Sequence, residues 1–242
     1  MFKKMMASMG VGSAKVETVL NQRSLRKGET LTGYILVKGG AVDQEISGID
    51  LHIQTKVKKE SNDSTYYETV TLQRQQVVSR FTIAKGQERR IEFSMVLNKN
   101  LPFTMGRTTM WVYTDLNIES AIDSADHDAL TINPTEGEQR ILNAMQELGA
   151  HVKESEVEER YFNFFGGRQF VQEIDYHIRG SWNIEEVEIT FVSETEDEMI
   201  LSIEVDKAFS FRSDRAFEVR INKYGNLTQQ LQNAIADVAR RS

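Results

Sequence analysis

With 242 residues, 40% of them apolar and 27% charged, the chain has material for one large or two ordinary globular domains. It contains no cysteine, which excludes disulfides, cysteine-ligated zinc and a thiol nucleophile, and fits a reducing cytosol. The net charge of −7 is unevenly shared, because residues 1–133 hold 17 Lys/Arg against 15 Asp/Glu while residues 134–242 hold 12 against 21, so a polyanion would be repelled by the second half and nucleic acid is not expected as a partner.

Taken in order, the chain opens with Phe2, Met5, Met6 and Met9 at i, i+3, i+4 and i+7, the spacing of a short apolar-faced helix. So short a helix must dock on something. The protein's own sandwich is the expected seat, and Lys3 and Lys4 beside that face leave a weak contact with an anionic membrane surface or a partner as the alternative. The same opening lacks the apolar core of a secretory signal, so a cytoplasmic location is expected. No stretch approaches 18 consecutive apolar residues, so no spanning helix is expected. The run Gly10 to Lys15 has neither Walker spacing nor a strand before it, and no cofactor is expected there.

From Lys15 to Asn133 the period of strands dominates. Ile49, Leu51, Ile53, Thr55 and Val57 share one face, with Asp50, His52, Gln54 and Lys56 on a face expected to be solvated. Met110, Val112, Leu116 and Ile118 alternate with Trp111, Tyr113, Asp115 and Asn117. Further strands read at 30–37, 66–83 and 88–97, separated by turn signals that include Gly39-Gly40 and Lys85-Gly86. Many strands without long intervening helices predict an all-β sandwich.

At Pro134 the pattern changes. Asn133, Pro134 and Thr135 form the expected hinge between domains 1–133 and 134–242, because proline ends the strand and Thr135 with Glu138 has capping-box spacing. Ile141, Leu142, Met145 and Leu148 continue as a helix that Gly149 can terminate. Strands return around Phe170 to Ile178, Val187 to Phe191, Met199 to Val205 and Phe217 to Ile221, predicting a second sandwich. The tail from Leu227 to Arg241 carries an apolar helical stripe through Leu231, Ile235 and Val238.

No catalytic constellation emerges. Glu173, Asp175 and His177 have the chemistry of metal ligands, yet same-face neighbours on a strand stand roughly 6.5–7 Å apart and could converge only with help from another strand; no metal site is expected, and the three read as a solvated face. Tyr161, Phe162, Phe164 and Phe165 read as a buried plug. The opening F-K-K-M-M-A-S-M-G-V-G-S-A-K-V-E-T-V-L, the Gly39-Gly40 turn, and F-V-Q-E-I-D-Y, I-E-E-V-E-I-T-F and I-E-V-D-K further on resemble the bacterial sporulation-control family first linked to stage-zero sporulation. That resemblance implies two arrestin-like β-sandwiches in tandem and a cytoplasmic, non-enzymatic regulatory or adaptor role. Protein partners are expected, self-association is left open, and no member of an inter-domain charged cluster can be assigned by matching.

Overall fold

The computed structural model describes residues 12–61, 64–119, 121–162, 167–178, 184–207 and 215–242. The contact residues Phe2, Lys3, Lys4, Met5, Met6 and Met9 lie outside them, as do Phe164, Phe165 and the side chains of Tyr161 and Phe162. Among the described residues nine strands precede Pro134: β1 (Lys15–Leu20), β2 (Ser24–Arg26), β3 (Thr30–Lys38), β4 (Gln44–Ser61), β5 (Ser64–Val78), β6 (Phe81–Ile83), β7 (Glu88–Val96), β8 (Met110–Ile118) and β9 (Ser124–Asn133). After it come helix α1 (Glu136–Glu147), β10 (Ala150–Phe162), β11 (Gly167–Ile178), β12 (Ile184–Glu194), β13 (Glu198–Lys207), β14 (Phe217–Asn222) and helix α2 (Leu227–Arg241).

Two compact units result. One comprises the chain up to Thr55 with Thr69–Leu101 and Thr109–Asn133; the other comprises Lys56–Glu68, Pro102–Thr108 and Pro134–Ser242. The segments 56–68 and 102–108 precede the expected hinge in sequence but belong to the second unit.

In the first unit, β1, β3 and β7 form a three-stranded antiparallel sheet that packs on the sheet containing β4, β8 and β9. Alternation dictates the core: Leu31, Ile35, Ile49, Leu51, Ile53, Met95, Val112, Leu116 and Ile132 are all buried. Each such side chain contributes about 1.5–3 kcal/mol when fully buried. Buried threonines lock the layers, since Thr18 of β1 and Thr114 of β8 share a hydroxyl hydrogen bond of 2.6 Å.

The outward face of β4 departs from the sequence expectation. Asp50 is buried, because Arg74 on the neighbouring β5 donates to both its carboxylate oxygens at 3.3 and 3.0 Å and Asn117 donates at 3.3 Å. His52 packs at a tilt against Tyr113 with ring centroids 5.5 Å apart, and Tyr113 against His127 at 4.8 Å. Burial, then the Arg74 charge, holds the His52 imidazole below its ordinary value. The long β5 hairpin covers what periodicity alone exposes.

The second unit is built on the antiparallel order β10-β11-β12-β13-β14. Its apolar row of Ile174, Tyr176, Val187, Ile189, Leu201 and Ile203 is buried, as are Ile141 and Met145 of α1 and Leu231, Ile235 and Val238 of α2. The start of α1 bears out the capping box: the Glu138 amide donates to Thr135 Oγ1 at 3.1 Å, and the Thr135 amide donates to Glu138 Oε2 at 2.8 Å. Gly149, at φ +77°, ends that helix in a conformation other side chains resist. Replacing Thr135 with alanine should therefore cost about 1 kcal/mol, measured by urea denaturation.

Candidate partner-binding site

One strand of the second unit, β10, carries a row of charged side chains. In β10, Glu154, Glu156, Glu158 and Arg160 share a face by strand parity. Glu156 Oε1 accepts from the Tyr67 hydroxyl and from Arg107 Nη1 at 3.1 Å, while Oε2 pairs with Lys58 Nζ at 3.2 Å. Arg107 also pairs with Glu154, and Lys58 with Glu158 at 3.1 Å. Burial works against the Glu156 charge, yet the bonds from Tyr67, Arg107 and Lys58 outweigh it and hold the carboxyl below its ordinary value. These bonds tie 56–68 and 102–108 to β10.

Further along the same face, Glu154, Asp175, Glu188 and Glu204 stand directly across from one another on four successive strands. Like charges so placed repel. Arg160 answers them, pairing with Glu173 and lying within 3.9 Å of Glu158, 3.5 Å of Glu188 and 3.7 Å of Glu204. Even so, burial first and the neighbouring carboxylates second push Glu188 up to about 8, Glu173 to about 7 and Asp175 to about 6. Glu173 is 8% exposed and Asp175 and Glu188 are half-buried, so the carboxyls of the expected solvated face lie in a partly buried cluster, while His177 is exposed.

Cation-ligand chemistry is redistributed accordingly. Ligand oxygens of Glu173, Asp175 and Glu188 lie within 4.8 Å of one another, the second strand supplying the third carboxylate. His177 stands apart, its Nδ1 3.1 Å from the Glu185 carbonyl oxygen. Among the described residues this trio is what a cation could use, with Arg160 already providing the counter-charge.

On another part of this unit a groove of about 390 Å³ opens beside α1. Its lining includes Phe103, Leu142, Val152 and Tyr176 as apolar surface and the amide side chains of Gln139, Asn143 and Gln146 along the helix. Gln172 holds the lining residue Phe103 in place: the Phe103 amide donates to Gln172 Oε1 at 2.9 Å, and Gln172 Nε2 donates to the Phe103 carbonyl and to Ser155 Oγ, each at 2.9 Å. Phe103 then meets Phe191 edge to face at 5.9 Å. The first residues of β10, Ala150 to Val152, form one wall. They pair with β11 on one side, and the only other pairing of β10 among the described residues is the single bridge of Glu158 with Lys58.

Of the hinge residues, Asn133 ends β9 with its side chain donating to Ser24 Oγ at 3.0 Å, Pro134 lines the groove, and Thr135 caps α1. The residues that sequence reasoning missed are Lys58, Tyr67, Phe103, Arg107, Glu156, Arg160 and Gln172. The period-two glutamates 154, 156 and 158 were the available signal.

Tandem units of this kind define an all-β protein of arrestin-like fold, with helices confined to the second unit among the described residues. The chain belongs to the Spo0M family: the family model described as "SpoOM protein" matches residues 2–209. It is 32% identical over 209 residues to the sporulation-control protein spo0M of Bacillus subtilis (strain 168), covering 85% of this chain and 80% of that one. The crystal structure of Spo0M, sporulation control protein, from Bacillus subtilis superposes with a TM-score of 0.81 at 27% identity, covering 96% of this chain and 99% of that chain. Among the described residues no helix is long and apolar enough to cross a membrane.

Proposed function

We propose that this member of the sporulation-control family is a cytoplasmic, non-enzymatic regulatory adaptor that holds an extended segment of a partner protein in the groove beside α1. The observation that carries this reading is the position of Ala150 to Val152, a strand edge inside a groove with apolar walls and a row of helix amides. Strand addition supplies affinity through main-chain hydrogen bonds, and pockets for alternate side chains supply selectivity. Val152 is 42% exposed, so an apolar partner side chain gains by covering it. The groups a hydrolase would need are otherwise engaged, Glu173 with Arg160 and His177 with a backbone carbonyl.

Pro134 belongs to the groove lining, so a bound segment touches the residue at the proposed hinge. Binding there bears on the joint formed by Asn133, Pro134 and Thr135, which is the regulatory element of the proposal. The test is quantitative affinity capture from cells with the wild-type chain and with Asn143→Trp, which fills the groove from an exposed position on α1. The expected result is a partner retained by the wild type and lost by the variant; equal recovery from both would contradict the assignment.

A further inference from the structure

We infer that His151 and His177 form a two-histidine site for a divalent transition ion of the Zn²⁺, Ni²⁺ or Cu²⁺ class. The strand register brings them together, for His151 of β10 and His177 of β11 are direct partners across the antiparallel pair. Directly opposed residues share a face, with Cβ atoms about 4.5–5.5 Å apart. Both histidines are exposed and so reachable from solvent. Two imidazole nitrogens that each lie about 2.0–2.1 Å from one ion stand roughly 3–4 Å from each other, a separation that opposed rings reach by side-chain rotation. His177 is already oriented as a ligand would be. Its Nδ1 lies 3.1 Å from the Glu185 carbonyl oxygen, which can only accept, so the proton sits on Nδ1 and Nε2 keeps its lone pair. A ligating histidine commonly gives its second ring nitrogen to a backbone carbonyl in this way, which fixes the tautomer and the ring plane. His151 is then the ligand that turns to meet it.

The surroundings favour a cation. The register slips between Val152 and Glu154, leaving Lys153 unpaired, so that a carboxylate, Glu154, and not an ammonium stands opposite Asp175 beside the histidine pair. Lys153 Nζ is held by the Glu186 carboxylate at 2.7 and 2.9 Å, and its charge is answered there. Glu186 and Glu154 act on Asp175 more strongly than Lys153 and Lys58 do, so the field next to the pair is negative on balance. Imidazole selects among cations as well, because its nitrogen suits zinc, nickel and copper while Mg²⁺ and Ca²⁺ take oxygen ligands. The chain has no cysteine, so no thiolate competes for such an ion. The trio of Glu173, Asp175 and Glu188 offers oxygens alone, and Arg160 engages it through Glu173. Two protein ligands leave the remaining coordination positions to water. The site is present whether or not the groove beside α1 holds a segment.

Isothermal titration calorimetry of the untagged full chain with NiCl₂ and with ZnCl₂ tests this. Saturable binding of one ion per chain is expected, and excess Mg²⁺ should not compete. His151→Gln and His177→Gln should each weaken binding about tenfold or more. His127→Gln, at an exposed histidine of the first unit, should leave it unchanged. Bound Cu²⁺ should show coupling to two imidazole nitrogens in its electron paramagnetic resonance spectrum, and to one in either variant. Circular dichroism checks that these exposed substitutions leave the fold intact. No saturable binding, binding that survives both histidine substitutions, or binding lost instead on His127→Gln or Glu188→Gln would each overturn the proposal.

Discussion

Replacing Arg160 with leucine is expected to destabilise the second unit by about 3 kcal/mol near pH 8.5, and by less than half of that near pH 5. The magnitude is set at the lower end for a broken buried ion pair, because the Arg160 side chain is 33% exposed. The pH dependence follows from its neighbours. Burial and mutual repulsion raise Glu188 to about 8, Glu173 to about 7 and Asp175 to about 6 in the folded chain. Unfolded, these carboxyls titrate near their ordinary values of about 4, so between about pH 4 and pH 8 the folded chain holds protons that the unfolded chain has released. Their contribution to stability is therefore fully present at the acidic end and is lost as pH rises through 6, 7 and 8. Near pH 5 the three are largely neutral, and Arg160 has little charge left to compensate. Arg160→Lys keeps one positive charge but a single ammonium in place of a planar fork, and should fall between wild type and leucine. Urea denaturation of the three proteins at both pH values measures the effect; an equal loss at both would place the cost in packing instead.

Gln172→Ala is expected to cost about 2–4 kcal/mol, with little dependence on pH. The side chain is 7% exposed and serves as a surrogate strand, answering both main-chain groups of Phe103 and the Ser155 hydroxyl. Removing it takes these two bonds from Phe103, which is 1% exposed, and leaves a void at a buried position. Gln172→Glu separates the two contributions. A carboxylate can still accept from the Phe103 amide but faces the Phe103 carbonyl with an acceptor. That variant should be destabilised at neutral pH and regain stability in acid, where the protonated acid can donate once. Thermal unfolding of both variants across pH checks this; an alanine variant as stable as the wild type would contradict the clamp.

How much of this was legible depended on whether one strand or several had to be read. The alternation of Met110 to Ile118 mapped directly onto burial, because β8 has core on one side and polar cover on the other. The Thr135–Glu138 cap and the Gly149 stop were local too, and the structure has both. β10 escaped notice because glutamates at 154, 156 and 158 resemble a solvated stretch until Arg107, Tyr67 and Lys58 are brought over them. Asp50 and His52 were misjudged for the same reason, their cover coming from β5. The carboxylate cluster needed the register that sets Asp175 beside Glu188, and the groove draws on three separate stretches of chain around Phe103, α1 and the start of β10. No single window of sequence contains either. The family resemblance, by contrast, was carried by contiguous blocks and is matched across residues 2–209.

On the proposed function, a partner protein binds at the open start of β10. The most direct test replaces Val152 with a photo-crosslinking phenylalanine analogue in living cells, with Val96 of the first unit, 62% exposed, as the control position. A discrete crosslinked product is expected from position 152, identified by mass spectrometry and absent from position 96. Identical products from both positions, or none from position 152 while other surfaces capture a partner, would contradict it.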